Sequence, residues 1–178
     1  MDASRPRIDL FAFALAVCGL GVAMLGFASA RNGAALLMAG LCLAGLVVGR
    51  LAGISGLALL AVAIGLLVCL WLVWVDTPVG PRKTSAGAHA VGGTLIAWAI
   101  ASTLRRRGVR WWVLVTMTAL FTVTLAWEAA ELTADVVVGT GLTPSVRDST
   151  LDVAFGCFGG LVGIASAALL APPERRDG

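Results

Sequence analysis

Apolar residues fall in six long runs, each closed by a short polar stretch. The first covers residues 10–30, about the ~20 residues that a bilayer core requires. The second, residues 33–49, is rich in Gly and Ala and lies between Arg31 and Arg50. Residues 51–75 form the third run and end in Trp71 and Trp74, an aromatic pair of the kind found at membrane interfaces. A loop at 76–85 carries Pro78 and Pro81. The fourth run, residues 86–104, has His89 in its first turn and ends in Arg105, Arg106, Arg107 and Arg110. The fifth enters at Trp111 and Trp112 and runs to about Asp135. After a loop at 139–148 the sixth occupies residues 149–171, and Pro172 and Pro173 stop it.

This pattern predicts an all-α polytopic transmembrane bundle of about six spans. Residues 1–84 read as a three-span scaffold, residues 85–171 as a three-span half that carries the ionisable groups, and residues 172–178 as a tail. The Ala28-Ser29-Ala30 sequence resembles a signal-peptidase site, but the run before it exceeds the 7–15 residues of a signal core, so a retained helix is expected.

Charge sets the orientation. With six spans both termini share a side, together with Arg5, Arg7, Arg50, Arg105, Arg106, Arg107, Arg110, Arg175 and Arg176. The other side holds Arg31, Arg82, Lys83 and Arg147. The positive-inside rule therefore places both termini in the cytoplasm.

Asp76, His89, Glu128, Glu131, Asp135, Asp148 and Asp152 then all fall at the outer end. Glu128 lies 17 residues beyond Trp111, roughly 26 Å along a helix, near the far edge of a ~30 Å apolar slab. Glu128, Glu131 and Asp135 share one helical face, and Asp148 and Asp152 share a face of the next helix. Like charges this close resist joint ionisation unless a cation, a proton or a basic side chain relieves them. Asp152 is followed on its face by Gly156, Gly159 and Gly163, and His89 by Gly92 and Gly93. Such small residues let a neighbouring helix approach closely.

Composition narrows the function classes. The chain of 178 residues is 59% hydrophobic and 13% charged, with mean hydropathy +0.95, against roughly 25% charged in soluble domains. Its formal charge of +3 reflects arginines at the ends of apolar runs, a membrane pattern that argues against nucleic acid as a partner. Cys18, Cys42, Cys69 and Cys157 lie singly within apolar segments and read as small hydrophobes. Ser145 and Ser149 sit in no nucleophile elbow. No phosphate-binding loop or dinucleotide fingerprint is present, and a single histidine excludes bis-histidine haem ligation.

Around His89 and the two acidic segments the chain resembles a group of small bacterial inner-membrane proteins, the YjdF-like proteins, grouped broadly with VanZ-like proteins. Their pattern is a Gly-His pair opening one helix, Glu-x-x-Glu late in the next, and Asp-x-x-x-Asp opening the last. The matching residues are His89, Glu128 with Glu131, and Asp148 with Asp152, over residues 85–163. Ala88 stands in place of the glycine, Ser85 in place of an acid, and Arg147 in place of an aromatic residue. The resemblance implies a fold and a site location, and no activity.

Three readings of the site follow. In the first, His89, Glu128, Glu131, Asp148 and Asp152 are candidate ligands of a divalent cation: Mg²⁺, Mn²⁺ or Ca²⁺, or Zn²⁺ or iron if the histidine joins. Glu128, Glu131 and Asp152 are then the candidate acid/base groups, acting on a lipid-linked phosphate or ester through activated water. In the second, the acids belong to an ion or proton path, for which Thr116, Thr118, Thr122 and Thr124 offer a polar run. In the third, Arg82, Lys83 and Arg147 pair with the acids in a structural plug. Glu128 and Asp152 are the preferred ligands or acid/base groups. Beyond the bilayer, the expected partners are a lipid-linked substrate or a cation, with no nucleic acid, and no oligomeric state is specified.

Overall fold

The structure, a computed structural model, describes residues 5–29, 33–74, 81–139 and 145–170. Within them the chain forms six helices: α1 (Arg5–Ser29), α2 (Gly33–Leu51), α3 (Gly56–Trp74), α4 (Pro81–Arg106), α5 (Trp112–Val138) and α6 (Val146–Leu169). No strand occurs among the described residues. By length and composition α1, α4, α5 and α6 are long and apolar enough to cross a membrane. α2 and α3 are apolar but shorter, at 19 residues each, or about 28 Å at ~1.5 Å per residue. Asp76, Arg31, residues 140–144 of the loop at 139–148 and the tail at 172–178 lie outside the described residues, as do the side chains of Arg82 and Lys83.

Several boundaries differ from the sequence pattern, each for a local reason. α4 begins at Pro81 rather than residue 86, because proline suits the first turn, where its missing N–H has no helical acceptor. Residues 51–55, expected at the start of the third run, instead close α2 at Leu51 and turn through 52–55, where Gly53 takes φ 79°. α6 begins at Val146, where the Ser145 hydroxyl accepts from the Asp148 N–H at 3.2 Å. The polar lead is itself helical from Arg5, which puts Asp9 inside α1.

Asp9 gives the N-terminal scaffold a partly buried acid. Its carboxylate accepts from Arg50 Nη1 at 2.6 Å and from the Gly56 N–H at 2.5 Å. One side chain thus joins the end of α2 to the start of α3. Arg107 reaches from the end of α4 to the Gly53 carbonyl at 3.4 Å, and Arg105 donates to the Ala167 carbonyl near the end of α6. The bundle therefore alternates up and down. The starts of α1, α3 and α5 and the ends of α2, α4 and α6 share one basic end.

Packing falls into two apolar clusters. One is built largely from α1, α2 and α3, including Ala16, Leu20, Met38, Leu46 and Leu59. The other joins Ala97 and Ala101 of α4, Leu120 of α5, and Ile164 and Ala167 of α6. α4 and α6 meet backbone to backbone. A Cβ on Gly159 would run into the Ala90 carbonyl, on Gly163 into the Thr94 carbonyl, and on Gly93 into the Gly156 carbonyl. With no side chains between them, groups at the same level of these two helices come within reach.

Two substitutions test this frame by thermal unfolding in detergent. Gly159→Ala forces α4 and α6 apart and is expected to destabilise by roughly 1–3 kcal/mol. Asp9→Ala leaves Arg50 and the first N–H of α3 without their acceptor, and roughly 2 kcal/mol is expected to be lost. A midpoint equal to wild type in either case would contradict the corresponding contact.

Candidate functional site

The glycine seam sets where the ionisable groups meet. Gly156 lies one turn below Asp152 on α6, in contact with the Thr124 side chain of α5, and a Cβ there would sit 3.9 Å from the His89 carbonyl. Thr124 is itself one turn below Glu128. The small-residue contact therefore holds three helices together directly beneath three ionisable side chains, one from each.

These side chains form a compact cluster. His89 is partly buried, whereas Glu128 and Asp152 retain only 8% and 5% of their exposure. The imidazole lies between the two acids, with Nδ1 3.6 Å from Glu128 Oε1 and Nε2 3.9 Å from Asp152 Oδ2. One ligating atom from each residue lies within 4.8 Å of the other two. Neither oxygen of Glu128 has a hydrogen-bond partner, and both are buried. An unsatisfied buried polar group costs roughly 1–3 kcal/mol, and more when charged.

Of the five residues singled out by spacing, three converge and two stand apart. Glu131, three residues after Glu128, accepts from Trp127 Nε1 at 2.7 Å and stays half-buried outside the cluster. Trp127 is the partner that spacing arguments missed. The i, i+4 Trp–Glu pair was visible, and only the acids were read. Asp148 sits in the first turn of α6, half-buried, with its backbone N–H on the Ser145 hydroxyl. Asp135 lies near the end of α5, and Asp76 is outside the described residues. Arg147 is exposed.

Toward the basic end the cluster is closed by apolar packing. Thr124 and Thr116 are buried on the same face of α5 as Glu128, but each hydroxyl donates to its own helix, to the Leu120 and Trp112 carbonyls. Between them Leu120 packs on Ala97, Ala101 and Ile164, and Leu120 exposes only 1% of its surface. Thr118 and Thr122, the other members of the polar run, lie on more open faces, and the Thr122 hydroxyl donates to the Thr118 carbonyl.

Comparison with protein-family models, with curated proteins and with solved structures gives no match.

The unpartnered carboxylate yields a test. With a chelator present, Glu128→Gln is expected to raise the thermal midpoint, since it removes a buried charge that no donor satisfies. The gain should be about 1–3 kcal/mol. A loss of similar size would make Glu128 a stabilising member of a structural plug.

Proposed function

We propose that this chain is a six-span membrane protein with both termini in the cytoplasm, and that His89, Glu128 and Asp152 bind a divalent cation near the outer face. The observation that carries this reading is the spacing within the cluster. Contacts of 3.6 and 3.9 Å are too long for direct N–H···O bonds of ~2.7–3.2 Å and too short for one bridging water, which needs about 4.5 Å. Ligands ~2.1 Å from one ion, at tetrahedral to trigonal angles, stand ~3.4–3.6 Å apart, a separation that the Nδ1–Glu128 pair at 3.6 Å meets, whereas the 3.9 Å contact to Asp152 leaves from the other ring nitrogen. Glu128, buried and without a donor, is the group such an ion would satisfy.

Two carboxylates and one imidazole form a mixed oxygen and nitrogen set suited to Zn²⁺, Mn²⁺ or Fe²⁺ more than to Ca²⁺. Only one ring nitrogen can face the ion. The other is left to donate to the carboxylate on its own side, which fixes the ring. One imidazole nitrogen and Glu128 would then hold the ion directly while Asp152 steadies the ring from the other nitrogen, and the open coordination positions would take water that a bound ion activates. At the outer membrane face the substrate class that fits is a lipid-linked phosphate or ester. The motif shared with YjdF-like and VanZ-like proteins supports the same location of the site, at the ends of the last three helices.

The two alternatives have less support. A salt-bridged plug needs a cation beside Glu128; among the described residues the partner there is the imidazole at 3.6 Å, and Arg147 is exposed. A conduction path must cross the apolar layer of Leu120, Ala97, Ala101 and Ile164.

The test is metal binding by purified protein stripped with chelator. Titration with Zn²⁺ or Mn²⁺ should show one site per chain and raise the thermal midpoint. Glu128→Gln and His89→Gln should each weaken binding by about 100-fold or more, beyond the 10–100-fold usual for outer-shell partners. Stability indifferent to both ions, with no stoichiometric uptake, would overturn the reading.

A further inference from the structure

At the opposite end of the bundle, we propose that the turns between α2 and α3 and between α4 and α5 together bind the headgroup phosphate of an anionic phospholipid. The α4–α5 turn is tight. The Val109 N–H returns to the Leu104 carbonyl at 3.1 Å and the Gly108 N–H to the Arg105 carbonyl at 2.9 Å, with Gly108 at φ 68°. That closure puts four arginines in six residues, and they do different jobs. Arg105 is committed to the Ala167 carbonyl and lies over the Trp112 ring.

Arg106, Arg107 and Arg110 are exposed. Arg107 crosses to the neighbouring turn, where its guanidinium fills the space that a side chain on Gly53 would take. Arg110 lies 5.4 Å over the ring of Trp111, which is 64% exposed. Arg106, whose Nη2 donates to the Thr103 hydroxyl at 3.4 Å, and Arg110 belong to the same short segment as this guanidinium bridge, beside an indole at the level where spanning helices begin.

Among the described residues the acid at this end is Asp9, and Arg50 and the Gly56 N–H already engage it. Among the described residues no other acid lies at this end to neutralise the exposed arginines. Guanidinium forks match phosphate oxygens. Leu51 at the end of α2 and Leu114 in the first turn of α5, 83% and 62% exposed, give acyl chains apolar surface at this end. A phospholipid satisfies both features at once, and a soluble anion satisfies only the first. This site is independent of the cation cluster and stands or falls separately.

The test uses the full-length protein in nanodiscs or delipidated detergent, with phosphatidylglycerol and phosphatidylcholine as probes and retained lipid measured by native mass spectrometry. Phosphatidylglycerol is expected to bind preferentially, and the preference to weaken with salt. Each arginine near the surface contributes about fivefold, so Arg106→Gln with Arg110→Gln should lower the preference on the order of 25-fold. Arg147→Gln, at the other end, should leave it unchanged. Equal retention of the two lipids, an undiminished preference in the double variant, an equal loss in Arg147→Gln, or displacement by inorganic phosphate at equal concentration would each overturn the proposal.

Discussion

The close backbone contact between α4 and α6 is the constraint on which the rest depends. Gly93, Gly156, Gly159 and Gly163 remove the side chains that would hold two apolar helices ~8–10 Å apart. In lipid there is little hydrophobic gain from pressing helices together, so this contact rests on van der Waals packing at short range. One consequence is positional. His89 on α4 and Asp152 on α6 meet across the upper end of the seam, and Thr124 packed on Gly156 brings Glu128 of α5 to the same place. A second consequence is dielectric. With close packing below and apolar residues between the cluster and the basic end, Glu128 has no water-filled route on that side to relieve its charge.

The molecule is polarised end to end. Guanidinium groups close the basic end by binding carbonyls and Asp9 across helix termini, and the acids gather at the other. These ends behave differently. The basic side chains are long, lie near the surface and find partners on backbone oxygens or aromatic rings. In the acidic cluster Glu128 is short-armed and buried, and its carboxylate makes no hydrogen bond. A protein-supplied plug would show the opposite, with each buried carboxylate matched to a fixed donor. Glu131 shows what such matching looks like in this chain, where the Trp127 indole holds it at 2.7 Å.

Much of this was legible in the chain before folding, because the bilayer imposes a length on every apolar run and arginines mark its ends. Counting residues from Trp111 placed Glu128 at the depth of His89 and Asp152, and the Asp152–Gly156–Gly159–Gly163 face foretold the seam. What escaped was local. Leu51, Ala52 and Ile54 look like helix interior, yet Gly53 at φ 79° turns the chain there. Asp9 sits in a polar lead by composition, and only the tertiary fold shows that it holds α2 to α3. Spacing also could not separate Glu131 from Glu128. The two lie three residues apart on one face, and a neighbouring indole decides which of them is left for the cluster.

The central claim is that the Glu128 carboxylate and the His89 imidazole face one ion. X-ray absorption on protein loaded with a single equivalent of Zn²⁺ tests it most directly. The account predicts a mixed first shell with one imidazole nitrogen and carboxylate oxygens at ~2.0–2.2 Å, with the imidazole scattering lost in His89→Gln. A shell of oxygen alone, unchanged by that substitution, would contradict it.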